Sequence, residues 1–241
     1  MQAGWTRPTR TWLYGQAGLA QSRDVLEVGC GTGAVAGELA RRSAARVVGL
    51  DVDARLLAFA RRQSDGVICV RGDAHALPFP EGCFDVVVCH YLLLWLADPA
   101  QGLREMARVV RPSGAVLACA EPDYGGRVDY PPEMAPVGRL QAEALRRQGA
   151  EPELGRRLGE LFAAAGLHGT VGVMAGRWEF PSLPDEGFEA EWTMRARDLD
   201  GVLAAGKLAR LRAVDRRGLK SGRRTLYVPT FYALGRRVLR V

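Results

Sequence analysis

Residues 25–33 read Val25-Leu26-Glu27-Val28-Gly29-Cys30-Gly31-Thr32-Gly33, a largely apolar run that breaks into glycine at every second position. A short run of Val and Leu is the pattern of a strand buried on both faces. Glycines straight after it mark a backbone that turns sharply and passes close to a partner with no Cβ atoms in the way. Helical spacing begins at Gly33 and continues to Arg42. Strand, bare turn and helix in that order predict a βα unit with a ligand group held against the turn.

Outward from this turn the same rhythm repeats. Strands are predicted over 24–29, 46–51, 66–71, 84–90 and 114–121, with helices over 33–42, 54–63 and 99–110 between them. Arg111-Pro112-Ser113-Gly114 reads as a helix stop followed by a turn. Alternation of this kind is the sign of βαβ units around a parallel sheet, with helices covering both faces. After Glu121 the rhythm breaks: 122–136 is rich in proline and glycine and reads as a long structured loop, a helix is expected over 153–165, and strands over 168–174 and 225–234. The region 175–224 looks like inserted, mainly helical structure. The expected organisation is therefore a single domain over 1–241, with an N-terminal flap at 1–22 and two acceptor-side insertions, a loop at 122–150 and helices at 175–224.

Composition removes several classes. With 48% hydrophobic and 25% charged residues the chain is neither disordered nor collagen-like, and 241 residues suffice for one substantial core. The N-terminus has no continuous apolar segment of the secretory type, and the longest near-apolar run, 86–97, is too short to cross a bilayer, so a cytoplasmic protein with no membrane insertion is expected. Cys30, Cys69, Cys83, Cys89 and Cys119 form no C-x-x-C pair, and neither disulfides nor a metal site is expected. The net charge of +6 is uneven: 207–224 holds eight basic residues against Asp215, whereas 177–200 holds seven acids against three arginines. The basic stretch fits either an RNA-binding face or the solvated side of an amphipathic helix, because Leu208, Leu211 and Val214 recur at helical spacing.

The glycine turn by itself admits two cofactors. Gly29, Gly31 and Ala34 satisfy the dinucleotide fingerprint, and Asp51 lies about 20 residues on, where an acid binds a ribose. Two further acids separate the readings. Glu27 precedes the first glycine by two residues, a poor neighbour for a pyrophosphate and a good one for a cation. Asp73 follows the third strand, where a carboxylate accepts from an exocyclic adenine amine. Three acids and no lysine match a sulfonium and ammonium ligand.

Here the chain resembles the class I S-adenosylmethionine-dependent methyltransferases, and in particular their type 11, small-molecule group. The resemblance rests on residues 25–33, on Asp51, on Asp73-Ala74, on Phe84-Asp85-Val86-Val87-Val88-Cys89-His90 and on 103–114, and covers about residues 23–121. It implies an α/β fold, a Rossmann-like doubly wound seven-stranded sheet, mostly parallel with an antiparallel final strand. It also implies S-adenosyl-L-methionine as cofactor. Asp51 would hold the ribose hydroxyls, Val52 would pack on adenine, and Asp73 with Ala74 would read the amino edge. Gly29, Cys30, Gly31 and Gly33 would run under the methionine portion, Glu27 would hold the loop or the ammonium, and His90 would contact the cofactor.

Methyl transfer is an in-line displacement that asks mainly for alignment and desolvation, so no nucleophilic triad is expected. Residues following the fourth and fifth strands face the crevice at the carboxyl edge of such a sheet. His90, Tyr91, Glu121, Asp123 and Tyr124 are candidates there, with His90 and Tyr124 ranked first as catalytic groups. Arg10, Trp12 and Tyr14 would form a flap over the cofactor, Arg10 pairing its carboxylate. Trp178, Phe188, Trp192 and Met194 either roof an apolar acceptor or pack as core. The expected partner is a small-molecule methyl acceptor, with RNA and a nicotinamide dinucleotide as the alternatives, and both a monomer and a homodimer are compatible with the sequence.

Overall fold

In a computed structural model of the chain, residues 2–174 and 186–237 are described; the Trp178 expectation lies outside them. In chain order the elements are α1 (Gln2–Trp5), α2 (Arg7–Ala17), β1 (Asp24–Val28), α3 (Ala34–Arg42), β2 (Arg46–Asp51), α4 (Ala54–Gln63), β3 (Val67–Arg71), β4 (Phe84–Cys89), α5 (Pro99–Val109) and β5 (Val110–Pro122). They continue with β6 (Val128–Tyr130), α6 (Ala135–Arg147), α7 (Leu158–Ala164), β7 (Leu167–Val173), α8 (Glu186–Asp198), α9 (Ala205–Lys220), β8 (Thr225–Tyr227) and β9 (Thr230–Arg237). Contacts divide the chain into two compact units.

The larger unit holds residues 1–121, 154–174 and 230–241. Its sheet has seven strands in the order β3-β2-β1-β4-β5-β9-β7. The first five strands run parallel, and β9 pairs antiparallel with β7. The strand order reverses beside β1, between β2 and β4, which is the point where open α/β sheets leave a crevice at their carboxyl edge. The interior strands are apolar without interruption because helices cover both faces: Val25, Leu26, Val28, Val86, Val87 and Val88 are all buried. Leu39 of α3 and Leu57 of α4 close on this core, joined by Leu13 and Tyr14 of α2.

The expected turn at 111–114 is instead an irregularity inside β5. Phe84 pairs with Val110 and Val86 with Ala115, so Asp85 faces four residues of β5. Ser113 takes a left-handed φ of 65° there. A Cβ on Gly114 would lie 2.7 Å from the Asp85 carbonyl oxygen, so only glycine fits.

The smaller unit holds residues 122–153 and 175–229. Its own core gathers Met134, Val137, Phe188, Trp192, Leu199 and Leu211. Two expectations are corrected here. The segment read as a loop contains β6, which pairs antiparallel with β8, and the single strand expected over 225–234 is split. The break falls at Val228-Pro229; proline cannot donate to a ladder, and β8 and β9 end up in different sheets. Phe188 and Trp192 are core residues, with the indole N–H donating to Asp215 at 2.8 Å, while Met194 is half-exposed.

The acids of α8 also meet the basic stretch. Glu189 pairs with Arg212 and Arg216, Glu191 with Arg195 and Arg224, and Asp215 with Arg195 and Arg224. Leu208, Leu211 and Val214 pack inward, so α9 is the amphipathic helix that the spacing allowed. Among the described residues no helix is long and apolar enough to cross a membrane.

Candidate cofactor site

The end of β1 leads into a turn in which Gly29, Gly31 and Gly33 all have positive φ, at 71°, 52° and 81°. The turn is tied to the neighbouring strand: the Gly29 and Cys30 N–H groups both donate to the Leu50 carbonyl, at 2.8 and 2.9 Å. Two of the glycines serve different ends. A Cβ on Gly33 would stand 2.6 Å from Ser64 Oγ and 3.0 Å from Ala60 Cβ, so Gly33 lets α3 start against α4. A Cβ on Gly31 would meet no protein atom within 4 Å, so at this position the bare backbone faces open space.

Asp51, at the end of β2, is buried, and each of its oxygens accepts one backbone N–H. Oδ2 takes Gly31 at 2.7 Å and Oδ1 takes Asp53 at 2.9 Å. Each carboxylate oxygen keeps a second lone pair, enough to accept a pair of hydroxyls. Asp53 caps α4 by accepting from the Arg55 N–H at 2.7 Å, so capping does not fall to Asp51. Val52 beside it is 65% exposed, which leaves its side chain accessible to a flat ligand. Asp73 and Ala74 follow β3, the next strand in the sheet, and His90 follows β4 on the other side of β1. Glu27, Gly29, Gly31, Asp51, Asp73 and His90 therefore gather at the carboxyl ends of four adjacent strands.

Glu27 is fully buried; its Oε2 has no hydrogen-bond partner, and neither do the Tyr14 hydroxyl or Arg10 Nε. Burial pushes the Glu27 carboxyl well above the usual carboxylate range, against the opposing pull of the Ala36 N–H and of Arg10. Buried polar atoms are nearly always paired, and an orphaned Glu27 oxygen two residues before a glycine turn that faces open space is what a missing polar ligand leaves behind. An ammonium and a carboxylate would answer Glu27 on one side and Arg10 with Tyr14 on the other. The residues present therefore fit S-adenosylmethionine, and the orphaned carboxyl fits a pyrophosphate poorly.

Several sequence expectations change. Arg10 and Tyr14 are not parts of a surface flap: both are buried on α2, whereas Trp12 is 48% exposed and edges onto Tyr232. The Arg10 guanidinium donates to Glu38 and to the Thr6 hydroxyl, which leaves Nε as the group turned to a ligand. Glu38 was not singled out in the sequence, although it falls on the apolar face of α3 beside Val35, Ala36 and Leu39, where an acid calls for a buried partner.

His90 Nε2 is 2.9 Å from the Thr6 hydroxyl, and burial, reinforced by Arg10, drives the imidazole down to about 3. A value so low makes this candidate catalytic group a weak base, which counts against a proton-accepting role for it. Glu121 turns away from any acceptor. Its carboxyl accepts from the backbone N–H groups of Leu92, Leu93 and Leu94 at 3.1, 3.0 and 3.2 Å and holds the chain after β4. Tyr124 and Asp123 belong to the smaller unit; burial raises the Tyr124 phenol, which stays protonated, and Asp123 accepts from the Gly125 N–H.

A parallel sheet reversing beside β1, a glycine turn bounded by acids and the antiparallel pair at the far edge form a Rossmann-like fold of the kind found in solved methyltransferase structures. Residues 26–118 match the type 11 family model described as a methyltransferase domain. A demethylmenaquinone methyltransferase of Mycolicibacterium vanbaalenii is 40% identical over 115 residues, 48% of this chain and 47% of that protein. A malonyl-[acyl-carrier protein] O-methyltransferase of Halorhodospira halophila is 39% identical over 99 residues, 39% of this chain and 34% of that protein. The chain thus spans about half or less of the length of these curated relatives. The solved structure of a geranyl diphosphate methyltransferase in complex with SAM superposes with a TM-score of 0.62 at 16% identity, over 97% of this chain and 85% of that one. At that identity the likeness is one of fold.

Proposed function

We propose that this protein transfers a methyl group from S-adenosylmethionine to a small-molecule acceptor. The observation that carries the reading is the bare backbone at Gly31, which faces open space and donates to the buried Asp51 carboxylate at the end of β2, with Glu27 on β1 and Asp73 after β3, the strands on either side of β2. In this reading Asp51 holds the ribose and Val52 covers the adenine, with Asp73 and Ala74 at its amino edge. Gly29 and Gly31 underlie the methionine portion, with Cys30 and Gly33 completing the turn; the ammonium of that portion lies towards Glu27 and its carboxylate towards Arg10 and Tyr14. The cofactor supplies a methyl group activated by its sulfonium. The chain supplies alignment and exclusion of water, and His90 acts as a neutral polar wall after β4. That suits an acceptor already nucleophilic when bound, or one whose proton leaves to solvent. The relatives named for demethylmenaquinone and for a carrier-bound malonyl group point to small acceptors. The RNA reading is the weaker one, since Glu189, Glu191 and Asp215 engage Arg212, Arg216 and Arg224, three of the eight basic residues of that stretch.

Titration calorimetry with S-adenosylhomocysteine and with NAD tests this directly: binding of the first and not the second is expected, and the reverse result overturns the proposal. Asp51→Ala is expected to weaken the adenosyl ligand by about 1–3 kcal/mol, the scale of losing hydrogen bonds to a charged partner. An unchanged Kd removes Asp51 from the ribose.

A proton should also leave on binding. Burial shifts free Glu27 towards the protonated acid, and an incoming ammonium favours the charged form. Affinity for S-adenosylhomocysteine is therefore expected to rise with pH through the range in which free Glu27 ionises. Binding heats should differ between buffers of unequal ionisation enthalpy, and Glu27→Gln should abolish that difference. Equal heats in wild-type protein would contradict the assignment.

A further inference from the structure

Asp73 is well exposed, its side chain retaining 61% of its surface, and an exposed aspartate ordinarily samples several rotamers. Here it is held. The His75 backbone N–H donates to Asp73 Oδ1 at 2.9 Å, and His75 Nδ1 lies 2.8 Å from the same oxygen. The far side of the ring is fixed too: His75 Nε2 accepts from the Asp98 N–H at 3.3 Å, and the His75 carbonyl accepts from Gln101 Nε2 at 3.2 Å. Because Nε2 is an acceptor, the ring proton sits on Nδ1 and is donated to Asp73. Both contacts fall on Oδ1, which leaves Oδ2 facing outward. The two His75 groups also keep the Asp73 carboxyl below its ordinary range, the backbone N–H contributing most, so it stays ionised as an acceptor. Asp98 caps α5 by accepting from the Gln101 N–H, so the imidazole is a strut from the first turn of a packed helix to the acid after β3.

We infer that His75 is a positioning residue that locks the Asp73 carboxylate toward the exocyclic amine of the bound purine, and so sets the preference for a 6-amino over a 6-oxo base. The inference rests on the proposed function. Its physical basis is an asymmetry. A fixed carboxylate accepts from an amino group, but meets a 6-oxo group as acceptor against acceptor and is left unpaired. A carboxylate free to swing away loses part of the attraction to the first ligand and escapes part of the penalty with the second.

The test compares the affinities of S-adenosylhomocysteine and of its deaminated analogue, S-inosylhomocysteine, by calorimetry, for the wild type, His75→Ala and His75→Asn. Asparagine places an N–H near the position of the imidazole Nδ1, whereas alanine offers none. Expected is a clear wild-type preference for the amino ligand, a reduction of that ratio by roughly tenfold in His75→Ala, and its recovery in His75→Asn, with thermal melts confirming that both variants fold. Wild-type protein that binds S-adenosylhomocysteine while His75→Ala keeps the full ratio overturns the inference and leaves the functional reading standing. Wild-type protein that does not bind S-adenosylhomocysteine overturns both. Should His75→Ala not fold, a ratio in His75→Asn far below that of the wild type would refute the strut, because the donor is retained.

Discussion

Gly31→Val is expected to abolish detectable binding of S-adenosylhomocysteine while leaving a folded protein. Two effects act together. At φ 52° a β-branched residue is strained by on the order of 1–3 kcal/mol, which lowers stability without unfolding a domain of ordinary stability, about 5–15 kcal/mol. The new side chain finds no protein atom to clash with, since nothing stands within 4 Å of the Cβ position, so its volume goes into the space assigned to the ligand. Its two methyl groups would stand above the backbone that the methionine portion crosses. Binding measured by calorimetry beside a thermal melt separates the two effects, and Gly31→Ala gives the graded intermediate. A folded valine variant that binds within tenfold of wild type would take the glycine turn out of the site. The same substitution at Gly33 should act through the fold instead, because its Cβ collides with Ser64 and Ala60.

Glu121→Ala is expected to produce the largest loss of stability. The side chain is completely buried and satisfies three successive backbone donors, two of them on residues that are themselves buried. Each donor left unpaired costs about 1–3 kcal/mol, so the sum approaches the stability of a small domain unless water enters. Burial raises the Glu121 carboxyl to about 7, against the three N–H groups that favour the charged form. A raised folded-state value means that the native state prefers the protonated acid. The stabilisation is complete below the unfolded value near 4.3 and is lost as pH climbs through about 7, a change of about 4 kcal/mol. Urea unfolding of wild type and variant should therefore differ more at pH 5 than at pH 8. A gap independent of pH would contradict the buried acid as its source.

The site and the fold were legible to different depths. The turn at 29–33, the ribose acid Asp51 and the amino-edge acid Asp73 stand out because glycine and carboxylate carry their meaning locally: backbone freedom in one case, charge at a strand end in the other. The strands and helices from residue 24 to 109 were legible for a similar reason, since a strand buried on both faces must be apolar throughout and the helices between carry helical spacing, whereas α1 and α2 were expected only as a flap. Arg10 reads from the sequence as a flap residue pairing the cofactor's carboxylate, and nothing beside it in the chain signals that it is buried. Only the inward-facing acid on α3 reveals its burial, and that pairing spans 28 residues. His90 was read as a base from its position, whereas its proton affinity depends on how deeply α2 and Thr6 cover it.

By itself the sequence determined the parallel βα core, the bare turn and the sign of the charge around it, since these follow from hydrophobic period, backbone freedom and residue type over a few neighbouring positions. Tertiary structure alone decided which partner each buried polar group has: Glu38 for Arg10, the backbone of 92–94 for Glu121, a helix cap for His75. It also decided that β6 would find β8 and that Pro229 would divide the final run between two sheets. Such choices join residues far apart in the chain, where no local pattern marks the partner and the energy of leaving a donor or acceptor unpaired does the selecting.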